Sequence, residues 1–341
     1  MLKRITIALL GAVAFTAAAN AGPVSDTLYY TTFGGGQNVW SVTGTYTGNG
    51  TAGNGTFTLG SPTNIASTPG ADGLVFNPNN GDLLVGGQGN SIHQVNPGTG
   101  AFTNATPGMN VYEISVDPNG NVVWGGGQEG GDTHISSTPI NPFGGAGTTT
   151  AVTGAVNTIT HITFAPNLPT GTAFYTSSGD DGTSPHFGTI NLATGVTTAI
   201  TLSLPGTTLL WHGMEYDPFS GDLILAGGNE VLQINPITDA VLSVFVAPSG
   251  VQFDQGAVDG LGHIFWADNN GRLLFLDYST TDLVGSPNNF VYDQSFTANF
   301  DDIAPLVGAG SRTVPEPMTL TLFGAGLLGA AALRRRKKAK V

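Results

Sequence analysis

Cysteine is absent from all 341 residues. This excludes disulfide staples, thiol catalysis and thiolate metal sites, so stability has to come from core burial and strand pairing. Basic residues are also scarce once their positions are read. Of the ten Lys and Arg, Lys3 and Arg4 stand at the N-terminus, and Arg334, Arg335, Arg336, Lys337, Lys338 and Lys340 stand at the C-terminus. Only Arg272 and Arg312 lie between, against 22 of the 23 acidic residues, so residues 22–313 carry a formal charge of −20. Recognition of a phosphate backbone needs positive side chains or a metal, so no nucleic-acid partner is expected. Anionic membrane surfaces repel such a domain, whereas cations and neutral or cationic polymers suit it. The same charge also serves plain solubility. Long helical periodicity is missing, as are the G-x-S-x-G elbow and the H-E-x-x-H zinc motif. The runs Gly34-Gly35-Gly36 and Gly125-Gly126-Gly127 are followed by neither a Lys nor a helix and read as turns, not phosphate loops.

The two ends are distinct from the middle. Lys3 and Arg4 form a basic start, Ile5 to Ala18 an apolar run of small residues, and Ala19-Asn20-Ala21 the A-x-A pattern before Gly22. Residues 1–21 read as a secretory signal peptide cut after Ala21. At the other end Val314-Pro315-Glu316-Pro317 precedes an uncharged run from Met318 to Leu333, and then Arg334-Arg335-Arg336-Lys337-Lys338. Pro315 and Pro317 forbid a regular helix before the run, and the basic cluster stays on the cytoplasmic side of a bilayer. A transmembrane segment over 318–333 would span only ~24 Å as a helix, short of a ~30 Å hydrocarbon core. A marginal anchor of this kind suits a signal that is handled and then removed.

Pro-Glu-Pro, a short apolar segment and an Arg cluster, in that order over 314–341, resemble the PEP-CTERM sorting tail of exported proteins in Gram-negative bacteria. The resemblance implies passage through the Sec export machinery and processing by exosortase. It implies transient inner-membrane anchoring by the tail, and delivery to the cell envelope or an extracellular matrix rich in exopolysaccharide. A plain C-terminal membrane anchor is the alternative.

The residues between the ends, rich in Gly, Thr, Asn and short β-branched or aromatic runs, read as all-β. A unit of apolar residue, Asp/Asn/Ala, then usually Pro recurs as Phe76-Asn77-Pro78, Val116-Asp117-Pro118, Phe164-Ala165-Pro166, Tyr216-Asp217-Pro218, Val258-Asp259-Gly260 and Ile303-Ala304-Pro305. The second residues of these units are 40, 48, 52, 42 and 45 apart, the length of a four-stranded propeller blade. The spacing predicts strands at Met214–Tyr216, Leu223–Ala226, Val231–Ile234 and Val241–Val246, and again at Leu83–Val85 and Ile92–Val95. The sixth anchor has no blade after it, while Leu28–Thr32, Val39–Val42 and Thr56–Leu59 have no inner strand. The segment from Asp302 to Val307 is therefore expected to pair with Leu28–Thr32 and close the ring, leaving no open sheet edge. Residues 22–307 are read as the propeller and 308–313 as a linker. Six blades are expected, with seven as the alternative because Asn38 to Thr63 is long. This grammar resembles six-bladed propellers of the broad NHL and lactonase-like group.

Inner strands of a propeller line a central channel, so residues just before the anchors face one funnel. They are Asp72, Glu113, His161, His212, Asp254 and the pair Asp301-Asp302. Oxygen ligands there suit Ca²⁺, and two imidazoles admit Zn²⁺. The resemblance implies a metal at this place, although the Glu/Asn/Asn/Asp ligand set of the lactonases is not reproduced residue by residue. The alternative is a set of polar groups that bind channel water or cap loops. His134 and His186 are read as solvated loop residues, His93 and His263 as half-buried strand residues, and Asp180-Asp181-Gly182 as a solvated turn. Trp40, Trp124, Trp211 and Trp266 are read as blade packing, with stacking on sugars as the alternative. Two functions remain open: an exported binding or structural module without catalysis, and a metal-dependent, lactonase-like hydrolase using the funnel.

Overall fold

The structure, a computed structural model, describes residues 24–33, 36–48, 53–87, 89–127, 133–154, 158–177, 186–202, 212–248 and 250–304. The expected signal peptide, the sorting tail, the Asp180-Asp181-Gly182 turn and Trp211 lie outside these residues. Among the described residues no helix is long and apolar enough to cross a membrane.

The chain begins with the strands β1 (Val24–Thr32), β2 (Val39–Gly48), β3 (Gly55–Leu59) and β4 (Thr63–Ala66). Four blades follow in simple order. They are β5 (Leu74–Phe76), β6 (Leu83–Val85), β7 (Ile92–Val95) and β8 (Phe102–Ala105); then β9 (Ile114–Val116), β10 (Val122–Gly125), β11 (His134–Pro139) and β12 (Thr148–Ala151). Next come β13 (Ile159–Thr163), β14 (Thr172–Ser177), β15 (His186–Asn191) and β16 (Thr197–Ile200); then β17 (Gly213–Asp217), β18 (Asp222–Gly227), β19 (Glu230–Ile234) and β20 (Val241–Val246). A fifth blade is β21 (Phe253–Val258), β22 (His263–Asp268), β23 (Arg272–Asp277) and β24 (Phe290–Ser295), and β25 (Phe300–Ile303) comes last. The last strand joins the first three in the order β25-β1-β2-β3, which makes the sixth blade.

Closure rests on Tyr30 opposite Ile303 and Thr32 opposite Phe300. It is reinforced by the Ala304 amide donating to the Tyr29 carbonyl at 2.9 Å and the Asp302 amide to Thr31 Oγ1 at 3.1 Å. The paired strand sits slightly earlier than expected, and residues 305–307 lie outside the described residues. The long Asn38–Thr63 stretch is not a seventh blade. Its strand β2 runs ten residues and pairs with β3 along one half and with β4 along the other.

Sequence chemistry explains the layering. The second strands are continuous apolar runs, such as Leu223-Ile224-Leu225-Ala226 and Ile264-Phe265-Trp266-Ala267, and they are buried on both faces because each blade is flanked by two others. Outer strands such as Thr148–Ala151 and Thr197–Ile200 are polar and largely exposed. The anchor turns follow from Asx chemistry: Asp217 Oδ1 and Oδ2 accept the amides of Phe219 and Ser220 at 3.1 and 2.9 Å. Gly221 supplies the positive φ of 78° that closes the turn. An aromatic-rich core cluster seals the ring, with Leu28, Tyr30, Phe57, Phe265, Phe275, Phe300 and Ile303 packed together. Phe57 stacks on Phe275 at 4.4 Å between centroids.

Candidate functional site

The site is built from the starts of the inner strands. Asp72, Glu113 and His212 stand one or two residues before β5, β9 and β17, and Asp254 and Asp301 are the second residues of β21 and β25. Because inner strands run side by side down one channel, these five side chains reach one cavity of about 210 Å³, together with Tyr112, Thr160 and Asn269. The blades approach too closely here for side chains on the backbone. A Cβ on Gly73 would lie 2.1 Å from the Tyr112 carbonyl oxygen, so glycine is required.

His161 does not line the cavity. Strand β13 has a register irregularity between Ile159 and His161, and the imidazole is fully buried, 3.5 Å from Glu113 Oε2 through Nδ1 and 3.5 Å from Ser115 Oγ through Nε2. Burial pushes its pKa down to about 3 against the pull of Asp254, so it is neutral. His212 faces the cavity with Nδ1 3.4 Å from Asp254 Oδ1. Asp302 is fully buried behind the cavity wall, its Oδ1 accepting the Gln255 amide at 3.2 Å. One carboxylate oxygen each from Asp72, Glu113 and Asp302 lie within 4.8 Å of one another.

The electrostatics of this group are unfavourable as they stand. Burial first, then the charges of Asp254, Asp72, Asp301 and Glu215, push Glu113 well above the usual carboxylate range. Asp302 is raised by burial and then by Glu113, Asp301, Asp254 and Asp72, and Asp301 by burial, Asp72 and Asp254, with His212 opposing. Glu113 Oε2, Asp301 Oδ2 and Asp302 Oδ2 are buried without a hydrogen-bond partner among the described residues. Buried polar atoms are ordinarily satisfied. Two members of the convergent Asp72–Glu113–Asp302 group, Glu113 and Asp302, thus carry an orphaned oxygen, which fits a cation with oxygen ligands, and like charges gathered out of water are relieved by one. Farther along the channel Glu215, on β17, is pushed up to about 8 by burial, with the neighbouring Gln255 amide partly offsetting this.

Several sequence expectations change. His93 and His263 are strand residues as expected, but they are buried (1% and 5% exposed), not half-buried. Each has a specific partner: Asn104 Oδ1 at 2.7 Å for His93 Nδ1, and Asp259 Oδ2 at 2.6 Å for His263 Nδ1. His134 opens β11 and is half-buried, and His186 opens β15, so neither is in a loop. Trp266 is fully buried, its indole N–H donating to the Asp254 carbonyl, and Trp40 and Trp124 pack on core clusters. These three are packing residues. Tyr112, Thr160, Asn269, Glu215 and Gln255 escaped the sequence reading. Asn269 lies in the Asp268-Asn269-Asn270-Gly271 turn after a second strand, a position whose side of the ring is set only by closure. Gln255 follows Asp254 across an irregularity between Phe253 and Gly256 that breaks the period of two.

Comparison with known proteins bears on the C-terminal tail and on the fold. Residues 313–337 match the PEP-CTERM protein-sorting motif. No curated protein matches. Among solved structures the fold is similar to Kuenenia stuttgartiensis hydrazine synthase (12% identity, 79% of this chain and 87% of that one, TM-score 0.51). It is similar to regucalcin, a calcium-binding protein of Agrobacterium tumefaciens strain C58 (12% identity, 71% and 79%, TM-score 0.51). It is also similar to a Bacteroides thetaiotaomicron protein of unknown function (14% identity, 82% and 84%, TM-score 0.50). At these identities the likeness is one of fold. The chain is a six-bladed β-propeller that carries a PEP-CTERM protein-sorting motif at its C-terminal end.

Proposed function

We propose that this is an exported binding module that exosortase sorts to the cell envelope or extracellular matrix, and that it holds a divalent cation in its funnel. The observation that carries the cation is the convergence of Asp72, Glu113 and Asp302, with Glu113 Oε2 and Asp302 Oδ2 left without hydrogen-bond partners among the described residues. All three donors are carboxylates, and the imidazole of His161 lies behind Glu113, so Ca²⁺ fits better than Zn²⁺. The similar fold of a calcium-binding regucalcin accords with this. A filled site would give the module a rigid, charge-neutralised mouth able to meet neutral polyhydroxylated polymers such as exopolysaccharide.

Thermal unfolding of the mature protein in chelator, Ca²⁺ and Zn²⁺ tests the reading. Ligand at 100 times its dissociation constant adds ~2.7 kcal/mol, so unfolding should shift upward with Ca²⁺ concentration. Asp302→Asn should remove the shift. No shift with any divalent ion sinks the cation site.

A second reading, a metal-dependent lactonase-like hydrolase, is favoured by one observation: the His212–Asp254 pair opens into the same cavity as Asp72 and Glu113. An imidazole oriented by a carboxylate suits a general base. Hydrolysis of lactone or ester substrates by the Ca²⁺-loaded protein, lost in His212→Ala with cation binding intact, would establish it. Absence of hydrolysis with a filled site leaves the binding module.

A further inference from the structure

The funnel and the exit of the chain toward its sorting tail lie on opposite faces. Every inner strand starts at the funnel: Asp72, Glu113, His212, Asp254 and Asp301 all sit at that end. Every inner strand finishes at the other face, where Asn77, Asp117, Asp217 and Asp259 begin the anchor turns. Ala304 follows Ile303 as Asp259 follows Val258, so Ala304, the last described residue, stands toward that far face, next to the channel axis. Val24, at the start of β1, also lies toward that face, because β1 runs antiparallel to β25.

Thirteen residues, 305–317, separate Ala304 from the apolar run at Met318. They reach at most about 45 Å when fully extended. Turning the funnel toward a bilayer would require the linker to cross a blade and climb its rim. Three strand spacings of ~4.8 Å and a strand of about six residues at ~3.3 Å make roughly 35 Å before side chains are counted. That pose nearly exhausts the linker. The opposite pose needs almost none of it.

The far face also carries apolar residues at its turns. Ile237, in the β19–β20 turn, is 75% exposed, and Phe219 and Leu283 are also exposed. They belong to neighbouring blades joined at this face: the Phe219 ring lies 5.8 Å from Tyr278, and Gln233 Nε2 donates to the Asp282 carbonyl at 3.0 Å. Asp239 and Asp282 flank them.

We infer that in the tail-anchored form this far face, through Phe219, Ile237 and Leu283, rests on the zwitterionic surface of the bilayer while the acidic funnel points away from it. The inference relies on the tail entering the membrane. It gives the sorting tail a second role, since the funnel is open to soluble or polymeric ligands before the tail is processed. Anionic lipid weakens the contact through Asp239 and Asp282.

The absence of cysteine allows a clean test. Full-length protein carrying Ile237→Cys, or Ala298→Cys in the exposed funnel-side loop before β25, is labelled with an environment-sensitive fluorophore. It is then reconstituted into phosphatidylcholine vesicles holding a shallow lipid-borne quencher. The label at position 237 should lose fluorescence and the label at 298 should not; adding phosphatidylglycerol should reduce the loss at 237. Equal quenching at both positions, or stronger quenching at 298, overturns the orientation. Excimer emission from a pyrene at 237 without lipid quenching would place a second copy on this face and overturn the lipid contact. Vesicle flotation is read in parallel. A chain that does not float overturns the tail anchor itself, and the orientation with it, which is a different failure from a floating chain that is quenched at the wrong face.

Discussion

Replacing His263 should destabilise the propeller most at mildly acidic pH and least at alkaline pH. The imidazole is 5% exposed, with Nδ1 2.6 Å from Asp259 Oδ2 and Nε2 3.7 Å from Asp277 Oδ1. Asp277 also accepts the hydroxyl of Tyr46 from β2, so the cluster fastens the fifth blade to the closing one. Burial disfavours the imidazolium, but the hydrogen bond to Asp259 and the charges of Asp259, Asp277 and Asp217 outweigh it, and the pKa is raised above 6.5. A raised histidine pKa means the folded state binds the proton more tightly. Its stabilisation is full below the unfolded pKa near 6.5 and is lost as pH rises through the folded value. Removing one partner of a buried pair costs ~3–5 kcal/mol. His263→Gln should therefore lower stability by about 3 kcal/mol near pH 6, because glutamine restores a hydrogen bond but no charge. The deficit should shrink toward pH 9.

Urea unfolding of wild type and variant across pH 5.5–9 measures this. Glu113, Glu215, Asp301 and Asp302, whose raised pKa values also favour the folded state at lower pH, are present in both proteins and largely cancel in the difference. A deficit that stays constant across the window, or that grows with pH, would refute the reasoning.

Ile303→Ala removes a fully buried side chain from the seam between β25 and β1 and should cost ~2–5 kcal/mol in urea unfolding; a loss under about 1 kcal/mol would mean that closure does not depend on this strand. For the address, Edman sequencing of envelope fractions should start at Gly22, and Pro315-Glu316-Pro317 changed to alanines should leave a longer, membrane-retained chain. A start at Met1, or unchanged mass and location in the alanine variant, contradicts export or exosortase processing respectively.

Local sequence chemistry determined much of this protein. Blade count followed from anchors such as Tyr216-Asp217-Pro218, because an Asx residue after a short apolar strand makes a specific turn whichever blade it serves. The C-terminal motif was equally legible, since a charge-free apolar run between Pro-Glu-Pro and five basic residues is a pattern of local sequence, and residues 313–337 match it. Leu83–Val85, Ile92–Val95 and Val241–Val246 appear where the hydrophobic pattern put them.

The site was only half legible. Strand ends brought Asp72, Glu113, His212, Asp254 and Asp301 to one mouth. Which of them point together was decided by irregularities in β13 and β21, and a slip of one residue turns a side chain away. That is why His161 sits behind Glu113; Asp302 joins the carboxylate cluster from β25, whose pairing with β1 shifts register between Tyr30 and Thr32. Burial and mutual charge, which unsettle Glu113 and Asp302, exist only once six blades bring distant residues within a few ångströms. The opposition of funnel and tail is likewise a property of the closed ring. The chain places Asp301 and Ala304 three residues apart, and only the direction of β25 through the channel puts them toward opposite faces.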